Sequence, residues 1–101
     1  MKIVLHDSVE KFVRSIKKPT IAKVLRTIDL LEEYGQELGM PHVKSLKAGL
    51  FELRVRGKQE IRLFFVFRNK SVIILHGFIK KSQKTPNSEI EIAKKRQSSL
   101  D

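Results

Sequence analysis

The chain has 101 residues, enough for one domain with a modest core and too few for two ordinary domains. It contains no cysteine, no apolar run near the roughly 20 residues of a transmembrane helix, and nothing that resembles a signal peptide, so a soluble cytoplasmic protein without a membrane partner is expected. The 21 Lys and Arg residues outnumber the 11 Asp and Glu residues, and the formal net charge of +10 favours a polyanionic partner, either a nucleic acid or an acidic protein.

The first 40 residues predict a strand and two helices. Residues 2–5 are apolar and strand-sized, and Asp7 with Glu10 forms a capping box at the start of a helix that residues 17–19 end. Pro19 suits the first turn of a second helix, which Gly35 or Gly39 ends, and the two helices are expected to form a hairpin. The cations that lie off the apolar stripes are predicted to be a solvated helix face: Arg14, Lys17, Lys18, Lys23 and Arg26.

After residue 41 the apolar pattern alternates with a period of two, which predicts a meander of short strands. The strands are expected at residues 43–46, 50–56, 60–67 and 71–79. A last helix is predicted from the segment 85–87, where Thr85 or Asn87 caps and Pro86 lies in the first turn, to about Arg96, followed by a flexible tail at 97–101. The fold class is α+β: a single domain over residues 1–101, with an N-terminal strand and a two-helix hairpin on a curved antiparallel sheet and a C-terminal helix.

The register of the central hairpin follows from its side chains, because opposed residues of an antiparallel pair project from the same face. One register closes over a three-residue loop at 57–59 and makes one face of the hairpin wholly apolar. The helices are expected to cover that face. Its opposed pairs are Val55 with Ile61, Leu53 with Leu63 and Phe51 with Phe65.

On the other face, the same register opposes Arg54 to Arg62, Arg56 to Glu60, and Glu52 to Phe64. Like charges directly opposite each other destabilise a sheet unless an anion lies between them. A phosphate would supply that anion, and so would the carboxylate of Glu52. The alternative interpretation is a pair of exposed arginines held apart by flexible stems and paired with Glu52 and Glu60.

Further candidates lie around this pair. Lys80, Lys81 and Lys84 follow the last strand and can extend an anionic site, although charge runs are usually solvated ends. His76 is a secondary catalytic candidate, although a histidine in an apolar strand is more often a satisfied core residue. For RNA binding the candidates are Arg56, Lys58 and Lys84, with Phe64 as a platform for base stacking. The three histidines are too scattered for a metal site.

Three segments carry a resemblance to a known family. They are Leu50-Phe51-Glu52-Leu53-Arg54, Ile61-Arg62-Leu63-Phe64-Phe65, and the run Leu75-His76-Gly77-Phe78-Ile79-Lys80-Lys81-Ser82-Gln83-Lys84-Thr85-Pro86 with the following Glu89-Ile90 and Ala93. With these segments, nearly the whole chain resembles the RelE/ParE superfamily of toxins from type II toxin–antitoxin pairs, in particular its HigB-like, phage-derived branch.

The resemblance implies a RelE-like fold and a ribosome-dependent messenger-RNA endonuclease that needs no metal or cofactor. In such enzymes the ribose 2′-hydroxyl attacks the adjacent phosphate, and Arg54 and Arg62 match basic positions that RelE uses. Glu52 stands where RelE has a catalytic lysine, and the C-terminal segment has no tyrosine, so the general acid and base are left open. The resemblance also implies a cognate antitoxin, such as a helix-turn-helix protein of the HigA kind, that blocks the toxin.

Two other functions fit the same sequence. The ParE branch shares the fold but inhibits DNA gyrase and lacks the nuclease site. A basic module without catalysis would bind RNA or an acidic antitoxin segment. The sequence favours the nuclease because of the motif match and the opposed arginines.

Overall fold

A computed structural model describes residues 1–100 and shows one five-stranded sheet in the order β1-β5-β4-β3-β2. The strands are β1 (Lys2–Leu5), β2 (Val43–Ser45), β3 (Phe51–Val55), β4 (Ile61–Arg68) and β5 (Ser71–Ile79). Each predicted strand is present, and the ends differ by no more than one residue from the expected ones. The sequence pattern of period two therefore located the sheet correctly.

The sheet is antiparallel as predicted except at the edge where β1 joins it. β1 pairs with β5 in parallel, with Ile3 opposite Val72 and Leu5 opposite Ile74, whereas the other three strand pairs are antiparallel. Parallel strands need a long connection, and β1 and β5 are separated by two helices and three strands. The sheet is therefore mixed and mostly antiparallel.

The register of the central hairpin is confirmed at every opposed pair from Phe51 with Phe65 to Val55 with Ile61. The expected three-residue loop is longer, because Arg56 and Glu60 lie outside the paired strands and five residues connect β3 to β4. The β4–β5 hairpin closes with two residues of positive φ, as a twisted two-residue turn requires.

The helices are α1 (Asp7–Ser15), α2 (Lys18–Tyr34) and α3 (Asn87–Ser98), and a short 3₁₀ helix (Gly35–Glu37) follows α2. Two predicted caps were wrong. At α1 the N-cap is His6, whose Nδ1 accepts from the amide of Ser8, so Asp7 is already helical. At α3 Pro86 is itself the N-cap, without a side-chain cap bond. None of the helices within residues 1–100 is long and apolar enough to cross a bilayer.

The first core lies between α1, α2 and one face of the sheet. Val9 and Val13 of α1 and Val24 and Leu31 of α2 are buried against this face. From the sheet it receives the side chains of the hairpin that were predicted to face the helices, namely Leu53, Val55, Ile61, Leu63 and Phe65. The prediction that the helices cover the apolar face is confirmed.

The second core lies on the opposite face, under α3. Ala93 of α3 is fully buried there with Phe64 and Leu75, and Leu75 is an extra residue at an irregularity of the β4–β5 register. In the segment that was expected to be a flexible tail, α3 runs to Ser98, and Leu100 packs against this core. Asp101 lies outside the described residues.

Candidate nucleic-acid interface

A groove of about 890 Å³ opens on the sheet face that α3 covers only in part. Six cationic side chains and two carboxylates lie in its lining, so the groove carries a positive charge. The cations are Lys44, Arg54, Arg56, Arg62, Lys80 and Lys84, and the carboxylates are Glu52 and Glu60. Strands β2, β3 and β4 supply most of the floor, and the segment that enters α3 supplies one wall.

Arg54 and Arg62 face each other at the floor of the groove, as the register predicted, and Glu52 lies beside both. The Nε of Arg54 donates to Oε1 of Glu52 over 3.0 Å, and the Nε of Arg62 lies 3.9 Å from the same oxygen. Glu52 is 3% exposed and Arg62 5% exposed, so both charges are largely withdrawn from water. One carboxylate thus holds two guanidinium groups together, and this is the internal counterion that the sequence offered as one of two possible anions.

The hydrogen bonds of Arg62 are incomplete. Its Nη1 donates to the carbonyl of Ile61 over 3.2 Å, and its Nη2 reaches Oε1 of Glu60 over 3.5 Å. Its Nε is buried and, among the buried polar side-chain atoms of residues 1–100, is the one found without a hydrogen-bond partner. A buried donor left without a partner costs free energy that an anionic ligand in the groove can recover.

Glu60 connects the two sides of the β3–β4 loop. Its Oε2 accepts from the amide of Gly57 over 3.2 Å, while its Oε1 lies 3.9 Å from Nη1 of Arg56. The expected contact between Arg56 and Glu60 is therefore present as a half-exposed ion pair outside the strand ladder. Such a pair contributes little to stability, which leaves Arg56 free to reorient towards a ligand.

The structure places two of the three C-terminal lysines in the groove. Lys80 and Lys84 line it, whereas Lys81 is exposed and does not. The Nζ of Lys80 donates to the carbonyls of Ser82 and Gln83, each over 2.6 Å, so the turn after β5 fixes the position of this ammonium group. Lys81, the third lysine expected in the site, lies outside the groove.

His76 lies under α3 instead of in the groove. Its Nε2 is 2.6 Å from Oε1 of Glu89, and its Nδ1 is 3.4 Å from Nη1 of Arg96. Both partners belong to α3, and the imidazole stacks on Phe78 with ring centroids 5.8 Å apart. His76 therefore attaches α3 to β5, and its candidate role as a proton carrier stays a prediction.

The structure places two RNA-binding candidates outside the groove. Phe64 is completely buried in the second core, so it has no free face on which a base can stack. Lys58 is exposed in the β3–β4 loop and does not line the groove. For Phe64 the reason is tertiary, because α3 packs over the part of β4 where this side chain emerges.

Sequence reasoning missed Lys44, Gln83, Thr85 and Asn87, which also line the groove. Lys44 pairs with Glu52 across β2 and β3, so its side chain lies on the same face of the sheet as the two arginines. The alternation of β2 could have shown this, had the register of β2 against β3 been worked out. Within residues 1–100, no group of three or more His, Asp or Glu side chains is arranged to hold a metal ion.

The groove thus offers several donors to an anion and an internal carboxylate that keeps the two central arginines together.

A comparison with protein families matches residues 11–98 to the model described as Phage derived protein Gp49-like (DUF891). This match covers most of the chain. The chain belongs to the Gp49-like family. None of the curated proteins searched matches it.

Membership of the Gp49-like family supports the toxin theme of the sequence analysis, because this phage-derived family is associated with RelE-like and toxin-like proteins. The observed α+β architecture is compatible with the RelE-like fold. The more specific HigB-like assignment is carried by the sequence resemblance alone and belongs with the proposals below.

Proposed function

We propose that this Gp49-like protein is the toxin of a type II toxin–antitoxin pair, of the HigB-like kind, and that it cleaves messenger RNA in the ribosomal decoding site. The observation that carries the proposal is the pair of opposed, largely buried arginines at the floor of a basic groove. One of them, Arg62, has a buried Nε without a hydrogen-bond partner. A phosphodiester matches this arrangement, because the planar guanidinium group binds two phosphate oxygens at once.

The proposed reaction is attack of a ribose 2′-hydroxyl on the adjacent phosphorus. The new oxygen–phosphorus bond forms a cyclic phosphate as the bond to the 5′-oxygen breaks, and that oxygen leaves with a proton. Arg54 and Arg62 would stabilise the negative charge on the crowded phosphorane, and Lys80 and Lys84 would hold the neighbouring backbone. This chemistry requires no metal or cofactor in the proposed mechanism.

Proton transfer has no assigned residue. An arginine is a poor base at its ordinary pKa. Glu52 and Glu60 line the groove, but each lies beside arginines. The catalytic contribution of this protein is therefore proposed as charge stabilisation and positioning, with the substrate presented by the ribosome.

The proposed partner that silences the enzyme is a cognate antitoxin, for example a helix-turn-helix protein. Its contact segment would be acidic, because six cations line the groove that it must cover. The groove is open along β2 and the entry to α3, so either a strand or a helix of the antitoxin could occupy it.

The test is primer extension on translating ribosomes with purified wild-type protein and the variants Arg62→Ala and Arg54→Ala. Wild type is expected to create new messenger-RNA 5′ ends only when ribosomes are present. Each variant should lower the cleavage rate by about 10²–10³-fold, the usual effect of removing one preorganised donor to the transition state. The matched control is Arg14→Ala, an arginine on the exposed face of α1 whose removal should leave cleavage unchanged.

Folding is checked by circular dichroism and thermal unfolding of each variant, because Arg62 is buried and its truncation can destabilise the sheet. A folded double variant that still cuts at the wild-type rate would refute the proposal. Absence of cleavage by wild type would refute the nuclease and leave the other two functions, of which gyrase inhibition predicts DNA-damage signalling with intact transcripts.

One observation favours the non-catalytic RNA-binding module as the second candidate. No histidine of residues 1–100 lines the groove, and His76, the catalytic candidate of the sequence analysis, is bound to α3. Without an imidazole, the groove has no side chain that ordinarily exchanges protons near neutral pH, so it is better suited to binding RNA than to cutting it. Salt-dependent RNA binding without any ribosome-dependent cleavage would establish this candidate instead.

A further inference from the structure

A second, smaller cavity of about 290 Å³ lies between α2 and the end of β3. Its charged lining consists of Lys23 and Arg26 from α2 and Arg54 and Arg56 from β3 and the following loop, and His42 completes the polar part. The sequence pattern had assigned Lys23 and Arg26 to a solvated helix face. Both are exposed, but the tertiary fold brings them next to the arginines of the groove.

No carboxylate is among the residues of the described chain that line this cavity. Within residues 1–100, neither the ammonium of Lys23 nor the guanidinium of Arg26 has an ion-pair partner, whereas Arg14 on α1 binds Glu10 over 2.8 Å. The Nζ of Lys23 lies 2.8 Å from the point where a Cβ on Gly57 would be, so this ammonium lies over the β3–β4 loop. Lys23 and Arg26 therefore bring positive charge to the cavity that no carboxylate within residues 1–100 pairs with, whereas Arg54 and Arg56 are paired with Glu52 and Glu60.

The cavity and the groove are adjacent, because Arg54 and Arg56 line both. Arg54 uses its Nε to bind Glu52, and its terminal Nη groups have no such bond within residues 1–100. Arg56, whose side chain is exposed in the loop between the two sites, can consequently contact an anion on either side. A ligand with regularly spaced negative charges could occupy both places at once, one in the groove and one in the cavity.

We propose that the cavity binds a second backbone phosphate of the same RNA strand whose scissile phosphate lies in the groove. The proposal rests on the proposed RNA-binding role of the groove and extends it by a subsite. Regular spacing of charge distinguishes a nucleic-acid backbone from most acidic peptides. Guanidinium and ammonium groups, which together provide the four cations here, are the usual ligands of phosphate oxygens.

The experiment measures binding of a fluorescent, single-stranded 2′-O-methyl RNA by anisotropy over a series of NaCl concentrations. This probe cannot be cleaved because the attacking hydroxyl is blocked, so binding is measured apart from catalysis. The variant carries Lys23→Gln and Arg26→Gln, which keep good helix formers on α2. The matched control carries Lys11→Gln and Lys95→Gln, two exposed helix positions that line neither the groove nor the cavity.

Each neutralised phosphate contributes about 0.7 to the slope of log affinity against log salt for a single strand, so a variant that no longer binds the second phosphate should lose about 0.7 from the slope. Raising NaCl fourfold would then weaken the variant about 2.6-fold less than wild type. The control should keep the wild-type slope. A dinucleotide, too short to span both sites, should bind wild type and variant equally.

An unchanged slope in the variant would overturn the subsite, and so would failure of wild type to bind the RNA. A variant that binds RNA normally but loses affinity for an octaglutamate peptide would show that the cavity serves an acidic protein segment, which also overturns it. The two proposals fail separately: a changed slope without cleavage on ribosomes refutes only the nuclease, and cleavage with an unchanged slope refutes only the subsite.

Discussion

One face of the sheet contains two regions with opposite character, although the same strands build both. Under α3 the face is apolar and closed, with Phe64 fully buried. Two residues earlier on β4, Arg62 occupies the same face and lies at the floor of an open, charged groove. The difference shows that the position of α3 decides which part of this face is core and which part can meet a ligand.

The two regions also differ in how their polar groups are satisfied. Under α3, His76 has hydrogen-bond partners on both ring nitrogens. In the groove, the two arginines share Glu52, and a buried Nε is left without a partner. A closed region requires complete pairing, whereas a binding region gains affinity from donors that only the ligand satisfies.

Removing the shared counterion should have the largest effect. Glu52→Gln keeps the shape of the side chain but leaves Arg54 and Arg62 opposed without a carboxylate between them. The free energy of unfolding should fall by about 3–5 kcal/mol, as for other buried pairs that lose one partner. Urea unfolding in chloride measures the loss, and sulfate should restore part of it because the anion binds between the arginines in the folded state.

The control is Glu10→Gln, which breaks an exposed ion pair on α1 worth only about 0.3–0.5 kcal/mol. Sulfate stabilises proteins in general, so the informative quantity is the extra stabilisation of Glu52→Gln over this control. If the two variants respond equally to sulfate, the arginine pair is not an anion site.

The closed region can be tested through His76→Phe. The new ring can pack on Phe78 as the imidazole does, but Glu89 loses its partner, while Arg96 keeps its bonds to Ser8 and to the carbonyl of Leu75. Stability should fall by about 1–3 kcal/mol, the cost of leaving partly buried polar groups unsatisfied. Cleavage on ribosomes by the folded protein should persist, because His76 does not line the groove. Loss of cleavage by a fully folded His76→Phe variant would support a catalytic role for His76.

Gly77 lies on the other face of the sheet, which α1 and α2 cover, and this position should not tolerate added volume. A Cβ there would lie 2.7 Å from Cδ2 of Leu63 and 2.8 Å from Cδ2 of Phe12, which packs from α1. Gly77→Ala should therefore cost about 1–2 kcal/mol through overpacking. Gly39→Ala is the matched control, since nothing lies within 4 Å of its Cβ position. Equal thermal midpoints for the two variants would contradict the tight packing of α1 on β5.

The central hairpin and its two arginines could be predicted because the information is local. Alternation fixes which side chains share a face, and only one register keeps the apolar residues Leu53, Leu63 and Phe65 together. The opposition of Arg54 and Arg62 follows from that register without any knowledge of the rest of the fold. The caps at His6 and Pro86 were missed because several neighbouring polar residues could equally have satisfied the first helical amides.

Periodicity and contacts between neighbouring strands were therefore enough to predict the strands, the apolar face that α1 and α2 cover, and the central pair of arginines. Three features became known from the fold: where β1 joins the sheet, which residues α3 covers, and that Lys23 and Arg26 lie beside Arg54. These features depend on contacts between segments far apart in the chain, which leave no periodic signal in either segment alone. The same docking of α3 buries Phe64 and leaves Arg62 at the floor of the groove.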